Sequence, residues 1–418
     1  MLRRLQALVL VTILVVAAFS TGYTFLFYLL YLGIFVVGGS YVLVRLGLTD
    51  LEAGYAVSQL HGHVGDRMRV TYTLRNGSRI PKPWLEVHNP TTLPGGLPGR
   101  PITLGATAER SWLIRTPLTR RGHFRIEPLH IRTGDPFGFF EAAATVGQGV
   151  SVVVYPRLEP LPMWKLPSAS LEGSHASPER TLQTTPLATT VRPYAPGDSM
   201  NRIHWKSTAR HGEIQVKEFD LEQTADAWII LDLQRGIQAG RGEESTTEAA
   251  IRAAASIADK ALGENRAVGM TVNAGRTAYL PADRGGRQHQ KVMQLLAAVE
   301  ADSASPLVET LIASVGRLRR GMTAVIITAS LDPSWVRPLA ALRTRGVACV
   351  VVTVDAAAYA RAEAEARAAL SGDRVVVDSE AAEAAAKRSR ALRHALAEYE
   401  LPAFNVVPGR ELGEILAR

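Results

Sequence analysis

The sequence of 418 residues has one cysteine, few aromatic residues (6%) and only a small excess of positive charge. The single cysteine, Cys349, excludes a disulfide framework and any zinc or iron–sulfur site built from several cysteines. The net charge of +8 is spread along the chain and does not by itself indicate a nucleic-acid-binding protein. A glycine-rich phosphate-binding loop is also missing, so we do not expect the chain itself to be an ATPase.

Apolar residues are concentrated at the start of the chain, in residues 5–18 and again in residues 23–44. The second run is long enough for a bilayer core of about 30 Å, which needs roughly 20 residues, and the first is short but workable. We therefore predict that residues 1–48 form a membrane hairpin of two transmembrane helices.

The orientation follows from the charges that flank these runs. Two spans place Arg3, Arg4 and Arg45 on one side, and the positive-inside rule makes that side the cytoplasm. The alternative is a cleaved signal peptide, with Arg3 and Arg4 as its basic region. The second run would then still cross inward. We expect a protein of the cell membrane with a cytoplasmic main body, unless the first run fails to span.

Residues 49–156 have the pattern of short strands separated by turns. Polar and apolar residues alternate through residues 67–75, and Asn76-Gly77 supplies a turn signal. Several such segments predict an antiparallel β-sandwich, immunoglobulin-like but without a disulfide. Residues 157–190, which are rich in Pro, Ser and Thr, indicate a linker.

From residue 227 onwards, short apolar strands alternate with helical segments. Residues 227–232 form an apolar run that ends in an acid, and Ser245 with Glu248 has the spacing of a capping box. Alternation of this kind predicts an α/β domain with a doubly wound parallel sheet. The predicted domain comprises residues 191–418, including the segment that precedes the first strand.

That preceding segment, residues 191–220, is the most distinctive part of the chain. Pro196-Gly197 indicates a turn, and Asp198 is suited to cap a short helix that starts at residue 199. Within such a helix Arg202, Lys206 and Arg210 share one face.

Two interpretations of this face remain open. It could bind an acidic partner or phosphate, or Arg192, Arg202 and Arg210 could pair internally with neighbouring carboxylates. We expect Trp205 in either case to bury its ring against the sheet.

The same segment resembles the signature of the family called domain of unknown function 58. The matching residues follow the pattern Arg-x-Tyr-x-x-Gly-Asp, Arg-x-Ile-x-Trp and Ala-Arg: they are Arg192, Tyr194, Gly197, Asp198, Arg202, Ile203, Trp205, Ala209 and Arg210. Residues 119–124, 135–139 and 154–157 are also similar to elements of that family. The resemblance covers roughly residues 1–330.

The resemblance implies a prokaryotic membrane-anchored protein with a sandwich and a von Willebrand factor A-like domain. It further implies work with a MoxR-type AAA+ ATPase on the assembly or activation of a client protein, without an established catalytic activity. The site residues that it suggests, for partner binding or structure, are those of the signature together with Lys206.

Domains of the von Willebrand factor A type bind Mg²⁺ through an Asp-x-Ser-x-Ser loop and a Thr from another loop. Here Asp232 is present, but Gln234 and Gly236 occupy the serine positions, and Ala329 follows Thr328 where an Asp is expected. Hard cations need several converging oxygen ligands. We therefore predict a degenerate site and no metal or other cofactor.

Other candidate chemistry is weak. His61 and His63 share a strand face if extended, but no third ligand is evident, and a solvated loop is the simpler interpretation. Cys349 lies in an apolar run typical of a core strand.

Two function classes follow from these observations. The first is a non-enzymatic, membrane-anchored adaptor that interacts with protein partners and not with nucleic acid. The alternative is a metal-dependent binding module or hydrolase with an atypical site around Asp232.

Overall fold

The computed structural model describes residues 2–167, 190–195, 198, 200–218, 226–371 and 379–417. The chain forms two compact units. The first comprises Met1–Leu158 and Met293–Val299, and the second comprises Glu159–Val292 and Glu300–Arg418. Most of the predicted linker, residues 168–189, and the strand expected near residues 374–377 lie outside the described residues.

The first unit begins with two helices, α1 (Leu2–Thr21) and α2 (Thr24–Gly47). Among the described residues, α2 alone is long and apolar enough to cross a membrane, with a mean hydropathy of 2.0. The apolar part of α1 is the shorter stretch Val11–Thr21. Of the two expected spans, one candidate is therefore found among the described residues.

Ten strands follow the helices: β1 (Leu51–Val57), β2 (His61–His63), β3 (Arg67–Asn76), β4 (Lys82–His88), β5 (Arg100–Leu104), β6 (Glu109–Pro117), β7 (Gly122–Ile126), β8 (Leu129–Gly134), β9 (Glu141–Val146) and β10 (Val150–Tyr155). They form three sheets in the orders β1-β3-β6, β2-β10-β7 and β5-β4-β8-β9. All neighbouring pairs are antiparallel except β2 and β10. The predicted alternation in β3 is confirmed, since every second side chain is buried.

One apolar cluster is shared by the three sheets of this unit. It includes Val70 of β3, Leu85 of β4, Ile131 of β8 and Val154 of β10, each almost completely buried. Because successive side chains of a strand point to opposite faces, each sheet contributes one face to this core.

The end of α2 packs on the same unit. Ser40 and Val44 are buried, and a Cβ added at Gly47 would lie 2.9 Å from the side chain of Thr133 on β8. The buried Lys82 side chain donates from Nζ to the Leu46 carbonyl and, at 2.9 Å, to the Thr49 carbonyl. A lysine that satisfies the last carbonyls of a helix stabilises its C-terminus.

The second unit contains these further elements: β11 (Thr190–Pro193), α3 (Trp205–His211), β12 (Gln215–Glu218), β13 (Ala227–Asp232), β14 (Gly240–Arg241), β15 (Glu244–Ser245), α4 (Thr246–Gly263), β16 (Val268–Asn273), β17 (Ala278–Asp283), α5 (Gly285–Ala298, whose last residues belong to the first unit), α6 (Leu307–Ser314), β18 (Thr323–Thr328), α7 (Val336–Thr344), β19 (Ala348–Val354), α8 (Ala356–Ser371), α9 (Ser379–Glu398), β20 (Ala403–Val406) and α10 (Leu412–Leu416). The capping box is confirmed in its first half, because the Ser245 hydroxyl accepts the Glu248 N–H at the start of α4.

Six strands of this unit form one sheet in the order β17-β16-β13-β18-β19-β20. The sheet is mixed rather than wholly parallel, because the edge strand β17 runs antiparallel to β16. Trp228 and Ile230 of β13 pack with side chains of α6, α7 and α9 on one face, whereas α4 packs against β13 and β18. The strand order reverses between β13 and β18, which is where open α/β sheets commonly bind ligands at the carboxyl ends of their strands.

Candidate functional site

A cluster of polar side chains lies at this reversal point. Asp232 ends β13, Asn273 ends the adjacent β16, and Thr328 ends β18 on the other side. The Thr328 hydroxyl donates to Asp232 Oδ2 at 2.7 Å, and Asn273 Nδ2 donates to Asp232 Oδ1 at 2.9 Å. The Gln234 N–H donates to the same Oδ1 at 3.2 Å, so both oxygens of the carboxylate have partners from the chain.

Burial dominates the electrostatics of Asp232. The residue is inaccessible to solvent, and loss of hydration raises the pKa of its carboxyl group above the ordinary value of 3.8. The hydrogen bonds from Thr328, Asn273 and the Gln234 N–H act in the opposite direction and do not fully compensate.

A second layer of hydrogen bonds holds these partners in place. The Ser303 hydroxyl donates to Asn273 Oδ1 at 2.7 Å, and Asn273 Nδ2 also donates to the Ser305 carbonyl at 3.0 Å. The Ser330 N–H donates to the Thr328 hydroxyl at 2.9 Å. Each of these side chains is therefore engaged with another part of the cluster.

The structure thus brings together Asp232 and Thr328, as the sequence analysis expected, and adds Asn273 and Ser303. Gln234 contributes its backbone N–H, and Gly236 lies in a short 3₁₀ turn, Arg235–Ile237. Within the described residues, no three His, Cys, Asp or Glu side chains are grouped so that they could hold a metal ion. The absence of a metal cofactor stays a prediction.

The signature segment forms a second site, built on the antiparallel pair β11 and β12. Arg192 on β11 donates two hydrogen bonds of 2.8 Å to the Asp198 carboxylate, which also accepts the Ala195 N–H at 2.9 Å. One of the internal ion pairs considered above is therefore present. Gly197 lies outside the described residues.

The helix in this segment starts later than expected. Residues Met200–Arg202 form a 3₁₀ turn, and α3 begins at Trp205 with His204 as its N-cap, whose Nδ1 accepts the Ser207 N–H at 3.1 Å. Asp198 is occupied by Arg192 and does not cap the helix. The prediction that Arg202, Lys206 and Arg210 share one helix face is therefore wrong, because Arg202 precedes α3. The side chain of Arg202 lies outside the described residues.

The expectation that Trp205 is buried is also wrong. Its side chain is 71% exposed, and α3 has no buried residue. Ile203 occupies the buried position instead, where its backbone bridges to Val216 of β12. The buried apolar side chain of this segment therefore precedes the helix.

Exposed apolar side chains surround Trp205 in the sequence: Val191, Tyr194, Met200 and Ile214. Lys206 and Arg210, on the same helix as Trp205, are also exposed. We name the set of Met200, Trp205, Lys206, Arg210 and Ile214 the signature surface.

The remaining candidate residues, His61, His63 and Cys349, lie in β-strands. His61 and His63 belong to strand β2 rather than to a solvated loop, and their rings lie 5.7 and 5.5 Å from that of Tyr155. Burial raises the pKa of the Cys349 thiol to about 12, which is typical of a core cysteine and not of a nucleophile.

Comparison with known proteins gives several matches. The uncharacterized protein YeaD of Bacillus subtilis is 25% identical over 322 residues, which are 72% of this chain and 76% of that relative. The uncharacterized protein Rv1480 of Mycobacterium tuberculosis is 30% identical over 171 residues, which are 39% of this chain; the chain thus covers about half (53%) of that relative. Among solved structures, the CARDB domain of the PF1109 protein of Pyrococcus furiosus matches at 15% identity. The match covers 25% of this chain and 92% of that domain, and its TM-score of 0.19 does not establish a shared fold.

A family model, described as protein of unknown function DUF58, matches residues 190–400. The match begins at the signature segment and includes five of the six strands of the large sheet, all except β20. The motifs at residues 119–124, 135–139 and 154–157 lie outside the residues that this model matches, and the match extends past residue 330. Half of the chain is matched, and the protein therefore belongs to the DUF58 family.

Proposed function

We propose that this protein is a membrane-anchored, non-enzymatic adaptor that works with a MoxR-type AAA+ ATPase in the assembly or activation of client proteins. The signature surface is the site at which the ATPase docks. The single observation that carries this proposal is the exposed Trp205 ring on a short helix that also exposes Lys206 and Arg210.

The composition of the signature surface fits a protein partner. Aromatic, methionine and arginine side chains are enriched at protein interfaces, where a few such residues carry most of the binding free energy. Met200 is 68% exposed and Ile214 is 44% exposed, so the apolar area is not confined to one side chain. Lys206 and Arg210 favour a partner whose facing surface is acidic.

The fold supports an interaction protein of the proposed class. Numbered within the six-stranded sheet, the strand order is 3-2-1-4-5-6 with an antiparallel third strand, which fits a von Willebrand factor A-like domain. The three sheets around one core in the first unit fit a sandwich of immunoglobulin type.

A docking experiment tests the proposal. The tagged full chain is purified from native membranes, and co-purified proteins are identified by mass spectrometry. An ATPase of the MoxR type should be recovered, and Trp205→Ala should reduce its recovery at least tenfold. The matched control is Leu113→Ala, which removes a side chain that is 45% exposed on β6, in the other unit. Equal recovery with both variants contradicts docking at the signature surface.

The membrane anchor is the second component of the proposal. The apolar helix α2 supports it, and α1 as a second span with a cytoplasmic body rests on Arg3, Arg4 and Arg45. A reporter fused after Arg418 should be active only in the form that requires the cytoplasm. Cleavage of residues 60–160 by protease added outside intact cells would contradict this topology.

The alternative function, a metal-dependent binding module or hydrolase, is favoured by the position of Asp232 at the sheet reversal. Ligand binding that requires a divalent cation and is lost in Asp232→Ala would support it. If the ATPase is recovered equally well with and without a metal chelator, the result supports the adaptor function.

A further inference from the structure

We propose that the loop formed by residues 137–140, which we name the aromatic loop, inserts into the headgroup region of the bilayer beside α2 and sets the orientation of the first unit on the membrane. This inference rests on the proposed membrane anchor. It adds a second lipid-binding element to the anchor and assigns it to residues outside the helix.

The aromatic loop has a defined conformation held by one carboxylate. Asp135 accepts the Phe137 N–H at 2.9 Å and the Phe140 N–H at 2.5 Å, and its own N–H donates to the Phe140 carbonyl at 3.2 Å. Gly138 has a φ of +75°, which permits the tight turn between these bonds. Burial acts to raise the pKa of the Asp135 carboxyl group. The hydrogen bonds from backbone N–H groups outweigh the effect of burial and hold this pKa below its ordinary value. The carboxylate that shapes the loop is therefore charged at neutral pH.

The loop presents aromatic rings to the surroundings instead of burying them. Phe137 is 58% exposed, and its ring stacks on that of Phe139 at 5.8 Å. Trp84 on β4 is 42% exposed, and its ring lies 3.2 Å from the Cβ position of Gly134, at the end of β8 just before the loop. Aromatic side chains grouped at one edge are typical of the membrane interface, where rings are stabilised at the level of the headgroups.

The aromatic loop is joined directly to the apolar helix. The ring of Phe140 packs edge-on against Tyr41 of α2, with centroids 5.6 Å apart. One turn of helix away, Val44 is buried on the same unit. The position of α2 in a bilayer therefore fixes the depth of the loop.

Helix length then places the loop at the interface. The 24 residues of α2 are about 36 Å long, and a hydrocarbon core of about 30 Å takes up roughly 20 of them. Counted from Thr24, the core ends near Leu43, which lies beside Tyr41 and Val44. The segment of α2 that contacts the loop is thus at the boundary between hydrocarbon and headgroups. A bilayer is the occupant that this geometry favours over a protein.

Spin labels at three positions test the inference in the full chain, reconstituted in vesicles of phosphatidylethanolamine and phosphatidylglycerol. Single cysteines are introduced in a Cys349→Ala background as Phe137→Cys on the loop, Phe35→Cys in the middle of α2 and Leu60→Cys as the matched control. Leu60 is 48% exposed and follows β1, a strand about 20 Å long that begins four residues after α2. Collision rates with oxygen, which is enriched in lipid, and with a water-soluble nickel complex report the depth of each label.

The expected result is an oxygen-to-nickel collision ratio that is highest at position 35, intermediate at 137 and lowest at 60. A lipid-exposed label at 35 together with a water-exposed label at 137 overturns the inference and leaves the membrane anchor intact. A water-exposed label at 35 overturns both. A label at 137 shielded from both reagents indicates a protein occupant and also overturns it. Unchanged circular dichroism spectra establish that the labelled variants are folded.

Discussion

Arg192 donates one hydrogen bond of 2.8 Å from Nη1 to Asp198 Oδ2 and another of 2.8 Å from Nη2 to Asp198 Oδ1. The pair joins β11 to Asp198, two residues before the 3₁₀ turn Met200–Arg202. Because Asp198 is only 14% exposed and Arg192 is 40% exposed, the pair is shielded from solvent on one side. A two-point bond of this kind orients the segment more strongly than a single surface ion pair does.

Loss of this pair should loosen the segment locally. We expect Asp198→Ala to cost about 1 kcal/mol and to raise amide hydrogen exchange in peptides from residues 190–218 about fivefold. The control is Glu400→Ala, which removes an ion pair of Arg343 whose carboxylate is 80% exposed. Equal exchange in the two variants would show that the Arg192 pair does not order the segment.

Trp205 and Trp335 should respond oppositely to truncation. Trp335 is 1% exposed in the core of the second unit, so Trp335→Ala should lower the free energy of unfolding by about 3–5 kcal/mol. Trp205 is 71% exposed, and Trp205→Ala should change the free energy of unfolding by no more than about 0.5 kcal/mol. Thermal unfolding of the full chain in detergent measures both. A large loss with Trp205→Ala would mean that its ring is packed in solution.

Gly269 should not tolerate a side chain. It pairs with Trp228 across β16 and β13, and a Cβ at this position would lie 2.3 Å from the Trp228 ring. The buried ring has little room to move, so Gly269→Ala should destabilise the protein by about 1–3 kcal/mol. Gly263→Ala, at the end of α4 with nothing within 4 Å, is the matched control and should be neutral or slightly stabilising. Similar denaturation midpoints for the two variants would refute the steric argument.

The raised pKa of Asp232 predicts a pH dependence of stability. As the pH rises above about 3.8, the unfolded chain releases this proton while the folded chain retains it, so folding loses stability until the pH passes the raised folded pKa. Asp232→Asn removes this contribution. The free energy of unfolding of the variant, relative to the native protein, should therefore increase between pH 4 and pH 7 in denaturant titrations. A relative decrease over that range would mean that the carboxylate is stabilised in its charged form.

Magnesium should not bind tightly at the carboxyl ends of the sheet. The Asp232 oxygens already accept three hydrogen bonds, and positions 234, 236 and 329 carry no carboxylate or hydroxyl oxygen. Calorimetric titration of the full chain with Mg²⁺ should show no saturable heat. A micromolar Kd that disappears in Asp232→Ala would show that the cluster rearranges around the ion.

Local features of the fold could be predicted from the sequence because they are encoded in neighbouring residues. The alternation of β3 and the Ser245 cap of α4 depend on side chains a few positions apart. The position of Asp232 at the end of a buried strand followed from the apolar run before it.

Features that depend on distant parts of the chain could not be predicted in this way. Asn273 reaches Asp232 because β16 pairs with β13, 41 residues earlier, and nothing near Asn273 in the sequence marks that pairing. The available signal was that Asn273, like Asp232, is a polar residue at the end of a buried strand. Trp205 was misplaced for a related reason, because hydrophobicity alone does not show whether Ile203 or Trp205 faces the neighbouring strand.

The buried Lys82 ammonium has a mechanical consequence. Burial lowers the pKa of Lys82, with Asp50 acting against this effect, and its donors go to carbonyls at the end of α2. Pulling the helix away from β4 would break both hydrogen bonds of this buried ammonium, each worth about 1.5–3 kcal/mol because the donor is charged. The helix and the strands beside it should therefore move together. With α2 as the proposed membrane anchor, a change in bilayer thickness that tilts the helix would rotate the strands of the first unit with it.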